Sequence, residues 1–368
     1  MRDCMIEFIK KEKVLCIAAI CAFISMIFVP PSMETLSFID VRVLALLFCL
    51  MAVIAGLKQC NVFIVFAQRL LSGRKQLRVF FLILVLLPFF SSMFITNDVA
   101  LITFVPFAIL VLDMIDRKQY LIPIITLQTI AANLGSMATP FGNPQNLFLY
   151  TKYGLTIGDF FSIMGKFTFL ALVLLIVCCM LMKNETLEVS FPEKVHMIKP
   201  KDVILFVVLF ILSLLSVLHI LPYQAVFLIV VVTMLLVSPV VLKDVDYALL
   251  LTFVCFFIFS GNIGKIDWMQ EFLGSCIKDY AIPTAIASSQ VISNVPSAVL
   301  LSSFTNQASG LLIGTNLGGL GTLIASLASL ISFKFYANEP HADTGKYLKV
   351  FTGYNLIFLL ILIIFIFI

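Results

Sequence analysis

Two short runs, Thr96-Asn97-Asp98 and Ser293-Asn294-Val295, place hydroxyl and amide oxygens in the middle of long apolar stretches. Two more stretches do the same. Ala131 to Asn146 reads AANLGSMATPFGNPQN, and Gly314 to Thr322 reads GTNLGGLGT. Glycine and proline at this density stop a helix from continuing. The carbonyls freed there, with Asn, Ser and Thr oxygens, suit a small hard cation, and half-helix N-termini favour an anion. On this chemistry the cation-binding or coupling residues are Asp98, Asn97, Asn133, Gly135, Asn294, Asn316 and Gly318. The solute contacts are Thr96, Asn97, Thr139, Pro140, Gly142, Asn143, Ser293, Asn294, Gly319 and Thr322. Two roughly symmetric cation sites are expected, one from Thr96, Asn97, Asn133 and Gly135, the other from Ser293, Asn294, Asn316 and Gly318. The plainer alternatives are that Asn97 and Asn294 only cap the helices after them, and that Gly314-x-x-x-Gly318 serves close helix packing.

Asp98 is the sharpest single residue. It is the only acidic side chain between Asp40 and Asp113. A charge at that depth costs at least ~2.5 kcal/mol on insertion scales. Asp98 is therefore read as the carrier of a coupling ion, H+ or Na+, against the alternative of an N-cap carboxylate. Its counterpart in the second half is Val295. None of the four stretches contains Lys or Arg, so an anion there would rely on amides, hydroxyls and bound cations.

The elements that position these residues follow from composition. Hydrophobic residues make up 61% of the 368 and charged residues 12%, about half the share in a soluble domain. Mean hydropathy is +1.12. Apolar runs of spanning length alternate with short charged connections, the pattern of an all-α polytopic membrane protein. A net charge of +4, spread over connections, gives no nucleic-acid-binding block. The nine cysteines include no CxxC, and three histidines form no cluster, so no transition metal or cofactor is expected. No HExxH, GxSxG or P-loop pattern is present, and an enzyme is not expected.

Scaffold helices are expected within 14–57, an interfacial helix at 61–71, a re-entrant hairpin over 79–112, a broken helix over 119–152 and a helix at 158–182. This first unit covers 1–183. A charged linker and linking helix over 184–222 lead to a second unit, 223–368, with an interfacial stretch at 265–279, a hairpin at 280–307 and a broken helix at 308–336. The layout gives about nine spans and two hairpins. With the N-terminus cytoplasmic and the C-terminus external, only Arg42, Lys152, Lys166, Lys265 and Lys278 of the 24 basic residues miss the cytoplasmic side.

The two units match where each is most irregular. A shift of 197 residues sets Ser91, Ser92, Ile95 and Asn97 on Ser288, Ser289, Ile292 and Asn294, with Thr96 on Ser293. A shift of 183 sets Asn133-Leu134-Gly135 on Asn316-Leu317-Gly318, and Thr139 on Thr322. Under the expected topology the hairpins enter from opposite sides, which makes the units inverted repeats of the kind found in secondary transporters.

At these four motifs the chain resembles the ion transporter superfamily, which includes divalent anion:sodium symporters, citrate transporter-like permeases and arsenite permeases. Thr96-Asn97-Asp98-Val99-Ala100 is similar to the arsenite-permease form of the first tip. Ser289 to Pro296 and Gly318 to Leu327 are similar to citrate transporter-like permeases. The resemblance implies a scaffold, a mobile transport domain of two hairpins and two broken helices, a homodimer in the cell membrane, and elevator-type transport of a small anion, most of all a carboxylate. An arsenite or oxyanion efflux permease and a sodium/proton antiporter are the alternatives within transport; a channel or membrane-embedded enzyme is the alternative outside it. The symporters carry Ser-Asn-Thr at both tips, whereas here the third position is Asp98 or Val295.

Overall fold

A computed structural model describes residues 12–189, 191, 194–198 and 200–367. The basic residues Arg2, Lys10, Lys11 and Lys199, used in the charge argument, lie outside the described residues. The helices, in order, are α1 Lys13–Phe28, α2 Met33–Ser37, α3 Val41–Gln59, α4 Val62–Leu71, α5 Leu77–Ser91, α6 Asn97–Met114, α7 Leu121–Ser136, α8 Pro144–Lys152 and α9 Ile157–Met180. They continue with α10 Pro200–Val217, α11 Tyr223–Val237, α12 Tyr247–Ile263, α13 Asp267–Ile292, α14 Asn294–Leu301, α15 Ala308–Leu317, α16 Leu327–Ala337 and α17 Thr344–Ile366. Helix starts follow local chemistry. Asp40, Asp246 and Asp343 each accept a backbone N–H three residues on, at 3.0, 2.8 and 2.8 Å.

This is a multi-pass membrane protein. Large apolar side chains such as Phe23, Phe169, Leu181, Leu236 and Leu360 are exposed. Helices apolar on all sides fit a lipid surround. Among the described residues four helices, α3, α6, α9 and α17, are singly long and apolar enough to cross a bilayer, and α12 with α13, bent by 102°, adds a fifth if the pair is one span. The remaining expected spans are shorter or broken pieces: α1 has 16 residues and α11 has 15.

Connections gather at two ends. At one, Leu77 N–H donates to the Glu185 carbonyl at 2.7 Å, and Arg117 Nη2 meets Glu185 Oε2 at 2.9 Å. Lys183 and Arg117 together hold the Glu185 carboxyl below its ordinary value. Gln59 reaches Asp244 there at 2.6 Å. At the other end Lys265 pairs with Glu34 at 2.6 Å, and Tyr153 Oη donates to the Thr305 carbonyl at 2.7 Å. Leu77 and Arg117 thus share an end, so α5 and α6 leave and return on the same side with the bend at Ser92–Thr96. Gln307 Nε2 donates to the Lys278 carbonyl at 2.7 Å, and the pair 278/307 sits by Tyr153 at the opposite end.

Two features differ from the sequence expectation, the ribbon and the shape of the second hairpin. A two-stranded antiparallel ribbon, β1 Gly73–Gln76 with β2 Thr186–Val189, ties connections expected to be irregular. The segment expected to divide at 279/280 does so: α13 leaves helical geometry at Tyr280 (φ −132°, ψ 44°), so its two parts meet at a kink there. The second hairpin is lopsided, because α14 has 8 residues against 18 in α6. Its tip residue Ser293 sits at φ 72°, ψ 156°, a conformation that costs a non-glycine residue about 1–3 kcal/mol. Thr96, its match, is extended at φ −64°.

Each broken helix lies tight against the hairpin of its own half. A Cβ on Gly135 would collide with the Phe89 carbonyl and lie 2.7 Å from Ser92 Oγ. A Cβ on Gly318 would lie 2.7 Å from Ser289 Oγ. These are matched glycines against matched serines. Gly135→Ala is therefore expected to destabilise by about 1–3 kcal/mol. Gly165→Ala, in α9 with nothing within 4 Å, should be neutral or slightly stabilising. Thermal melts in detergent of the two variants check this.

Candidate functional site

The four irregular stretches meet in one buried junction. Helix α7 ends at Ser136 because the Thr139 to Pro144 stretch cannot continue it, and α8 restarts with Pro144 in its first turn and Asn143 as N-cap, accepting from Asn146 N–H at 2.9 Å. In the second half α15 ends at Leu317 and a loop through Gly321 (φ +110°) and a 3₁₀ turn, Leu323–Ala325, reaches α16.

Within the first half, Asn97 Nδ2 donates to Asn133 Oδ1 at 2.9 Å, and Thr139 Oγ1 donates to the Met93 carbonyl at 2.6 Å. The second half repeats the latter bond: Thr322 Oγ1 donates to the Gln290 carbonyl at 3.4 Å. The halves then join. Asn133 Oδ1 accepts from Ser326 Oγ at 3.0 Å, and its Nδ2 reaches the Gly319 carbonyl at 3.5 Å. Asn143 Nδ2 donates to Asn316 Oδ1 at 3.1 Å, while Asn316 Nδ2 donates to Asn146 Oδ1 at 2.6 Å. Asn97, Asn133, Asn143, Asn146, Asn294 and Asn316 are all buried.

Some expected residues stand differently. Asn294 Nδ2 crowds Gly319, where a Cβ would lie 2.9 Å away, rather than pairing with Asn316 as Asn97 does with Asn133. Gly142 is held against the Ser136 and Ser92 backbone. Thr96 and Pro140 sit in the breaks, where Thr96 is buried. Ser293 Oγ donates to the Ala325 carbonyl at 3.3 Å. Gly314, Gly318 and Gly135 are close-approach positions, where the packing alternative holds. Asp98 keeps its carboxyl apart from the asparagine chain. Its backbone N–H donates to Asn97 Oδ1 at 3.1 Å, its Oδ1 is buried without a hydrogen-bond partner, and no ion pair among the described residues includes it.

Sequence reasoning left out Gln290, which organises the second break. Its Nε2 donates to the Gly318 and Leu320 carbonyls at 2.8 and 2.9 Å, and its Oε1 accepts from Thr322 N–H at 2.9 Å. The available signal was a glutamine facing Met93 in the repeat alignment. Ser326, also left out, and Asn146, which ends the Ala131 to Asn146 stretch, provide two of the bridges between halves.

The family described as citrate transporter matches residues 4–310. The chain belongs to the citrate transporter family. An uncharacterized transporter of Methanocaldococcus jannaschii is 29% identical over 86% of this chain and 87% of its own length. The inner membrane protein YbiR of Escherichia coli is 32% identical over 73% of each chain. A protein of Dictyostelium discoideum described as putative transporter arsB is 26% identical over 45% of this chain and 30% of its own. The resemblance read from the four motifs thus holds, and this citrate transporter family member is a transporter.

If the asparagine bridge couples the two halves, Asn143 and Asn316 should be energetically linked. A double-mutant cycle of Asn143→Ala and Asn316→Ala, read by denaturant unfolding in micelles, is expected to give about 0.5–2 kcal/mol of coupling. Strict additivity would remove the bridge.

Proposed function

We propose that the protein is a secondary active transporter of a small anion, a carboxylate first, coupled to Na+ or H+ and working by an elevator-type movement. The observation that carries this is the buried junction in which both broken helices bond to each other through Asn133, Asn143, Asn146 and Asn316. Unwound backbone in an apolar slab is tolerated only where it is buried in protein or lines a polar path, and that path is the solute's.

Support for inverted repeats comes from the hairpin mouths at opposite ends and from the recurring contacts Ser92–Gly135 and Ser289–Gly318. The units 1–183 and 223–368, the 184–222 linker, the homodimer, and the cytoplasmic N-terminus with external C-terminus belong to the same proposal. Coupling follows from charge. The junction holds no Lys or Arg, so an entering carboxylate needs a cation beside it, taken up by oxygens of Thr96, Asn97 and Asn133 or of Ser293, Asn294 and Asn316. Neutralising the anion this way lowers its transfer cost through the slab.

A second reading, oxyanion efflux or sodium/proton antiport, is favoured by one observation: the buried, unpartnered Oδ1 of Asp98. A carboxylate so placed is stable once it holds a proton or a metal cation. In both readings Asp98 carries the coupling ion. Asp98→Asn in proteoliposomes is therefore expected to cut gradient-driven flux at least about tenfold and to flatten its dependence on pH or sodium. Unchanged flux with unchanged ion dependence would show that Asp98 only caps α6.

A further inference from the structure

The end that carries Tyr153 and Thr305 holds a cavity of about 450 Å³, lined by Arg42, Thr151, Gly154, His219 and Tyr223 among others. Three separate elements build it. Arg42 stands in the first turn of α3, Thr151 near the end of α8, and His219 in the turn between α10 and α11. Two of its polar atoms are buried without a hydrogen-bond partner: Arg42 Nε and Thr151 Oγ1. Among the described residues Arg42 makes no ion pair either. The nearest acid along the chain, Asp40, spends its Oδ1 on the Val43 N–H at 3.0 Å. His219 is fixed in place. It takes φ 63° and stacks flat on Tyr150, with centroids 5.4 Å apart and planes at 6°. Burial and the neighbouring Arg42 charge hold its imidazole below the ordinary value, as expected of a basic group facing a cation.

A guanidinium with an unused N–H, a hydroxyl and an imidazole all favour the same ligand class. We infer that this cavity is an oxyanion site, taking a carboxylate or phosphate group through Arg42, Thr151 and His219. The site is separate from the asparagine junction, since α8 runs from one to the other: Asn146 lies in its first turn and Thr151 in its last. In the transport reading, on which only this role rests, the cavity is where the solute's charge is first held before it enters. The same chemistry would hold the phosphate of an anionic lipid.

The test is titration calorimetry of the purified full-length protein with citrate and, separately, with inorganic phosphate. An Asn316→Ala background limits binding at the junction. Arg42→Gln is expected to weaken binding about tenfold or more, and Arg42→Lys to recover part of it. His219→Gln should also weaken it, and Lys243→Gln at the opposite end should change nothing. Nanodiscs separate the sources. If lipid phosphate occupies the site, anionic lipid competes with citrate in the parent and not in Arg42→Gln; if free solute does, lipid charge is without effect. Equal citrate and phosphate affinities in parent, Arg42→Gln and His219→Gln, with no lipid competition, would overturn the site. Binding that depends on Arg42 without any uptake would instead sink the transport reading and leave the site standing.

Discussion

Backbone that leaves a helix inside an apolar slab must find hydrogen-bond partners within the protein, at several kcal/mol per group left over. That constraint shapes this molecule. Each break frees carbonyls, and side chains from the other irregular stretches take them. Gln290 covers Gly318 and Leu320, Asn133 reaches Gly319, Thr139 covers Met93, and Ser293 covers Ala325. The same amides and hydroxyls that could hold an ion are here bonded to the chain itself. In the proposed transport cycle, binding at the junction would therefore be an exchange. An ion or solute would replace bonds of this kind and free the break they hold to rearrange, tying occupancy to conformation.

Two layers of symmetry support this. Gly135 and Gly318 press against Ser92 and Ser289, and Thr139 and Thr322 donate to the carbonyls at Met93 and Gln290. These pairs keep the same contacts across halves although the sequences between them differ. The departures from symmetry are as informative. Asp98 aligns with Val295, Thr96 is relaxed where Ser293 is strained, and only the first break continues through Asn143 and Asn146. One half supplies the ionisable group and most of the amides, while the other supplies backbone and hydroxyls.

Much of this was legible in the sequence because polar and helix-breaking residues are rare in apolar runs and so stand out. The four breaks and the limits of both broken helices came from that contrast. What stayed hidden depends on distance. No local pattern says that Asn143 would bond Asn316, or that Gln290 would turn its amide onto the facing loop. The β1–β2 ribbon was hidden for a related reason, since its four-residue strands lie in charged connections and only the second, Thr186-Leu187-Glu188-Val189, alternates polar with apolar. The helix count was uncertain because a span made of two pieces has no single run of about 20 apolar residues to find.

The central claim is that the junction serves a carrier, with one solute site alternately open to each end. Solute counterflow tests it most directly. Proteoliposomes loaded with unlabelled citrate are diluted into a trace of labelled citrate with the coupling cation, and internal label is followed. The account predicts a transient overshoot of label above its equilibrium value, saturable in external citrate. A monotonic, non-saturable approach to equilibrium would contradict it and mark a pore instead.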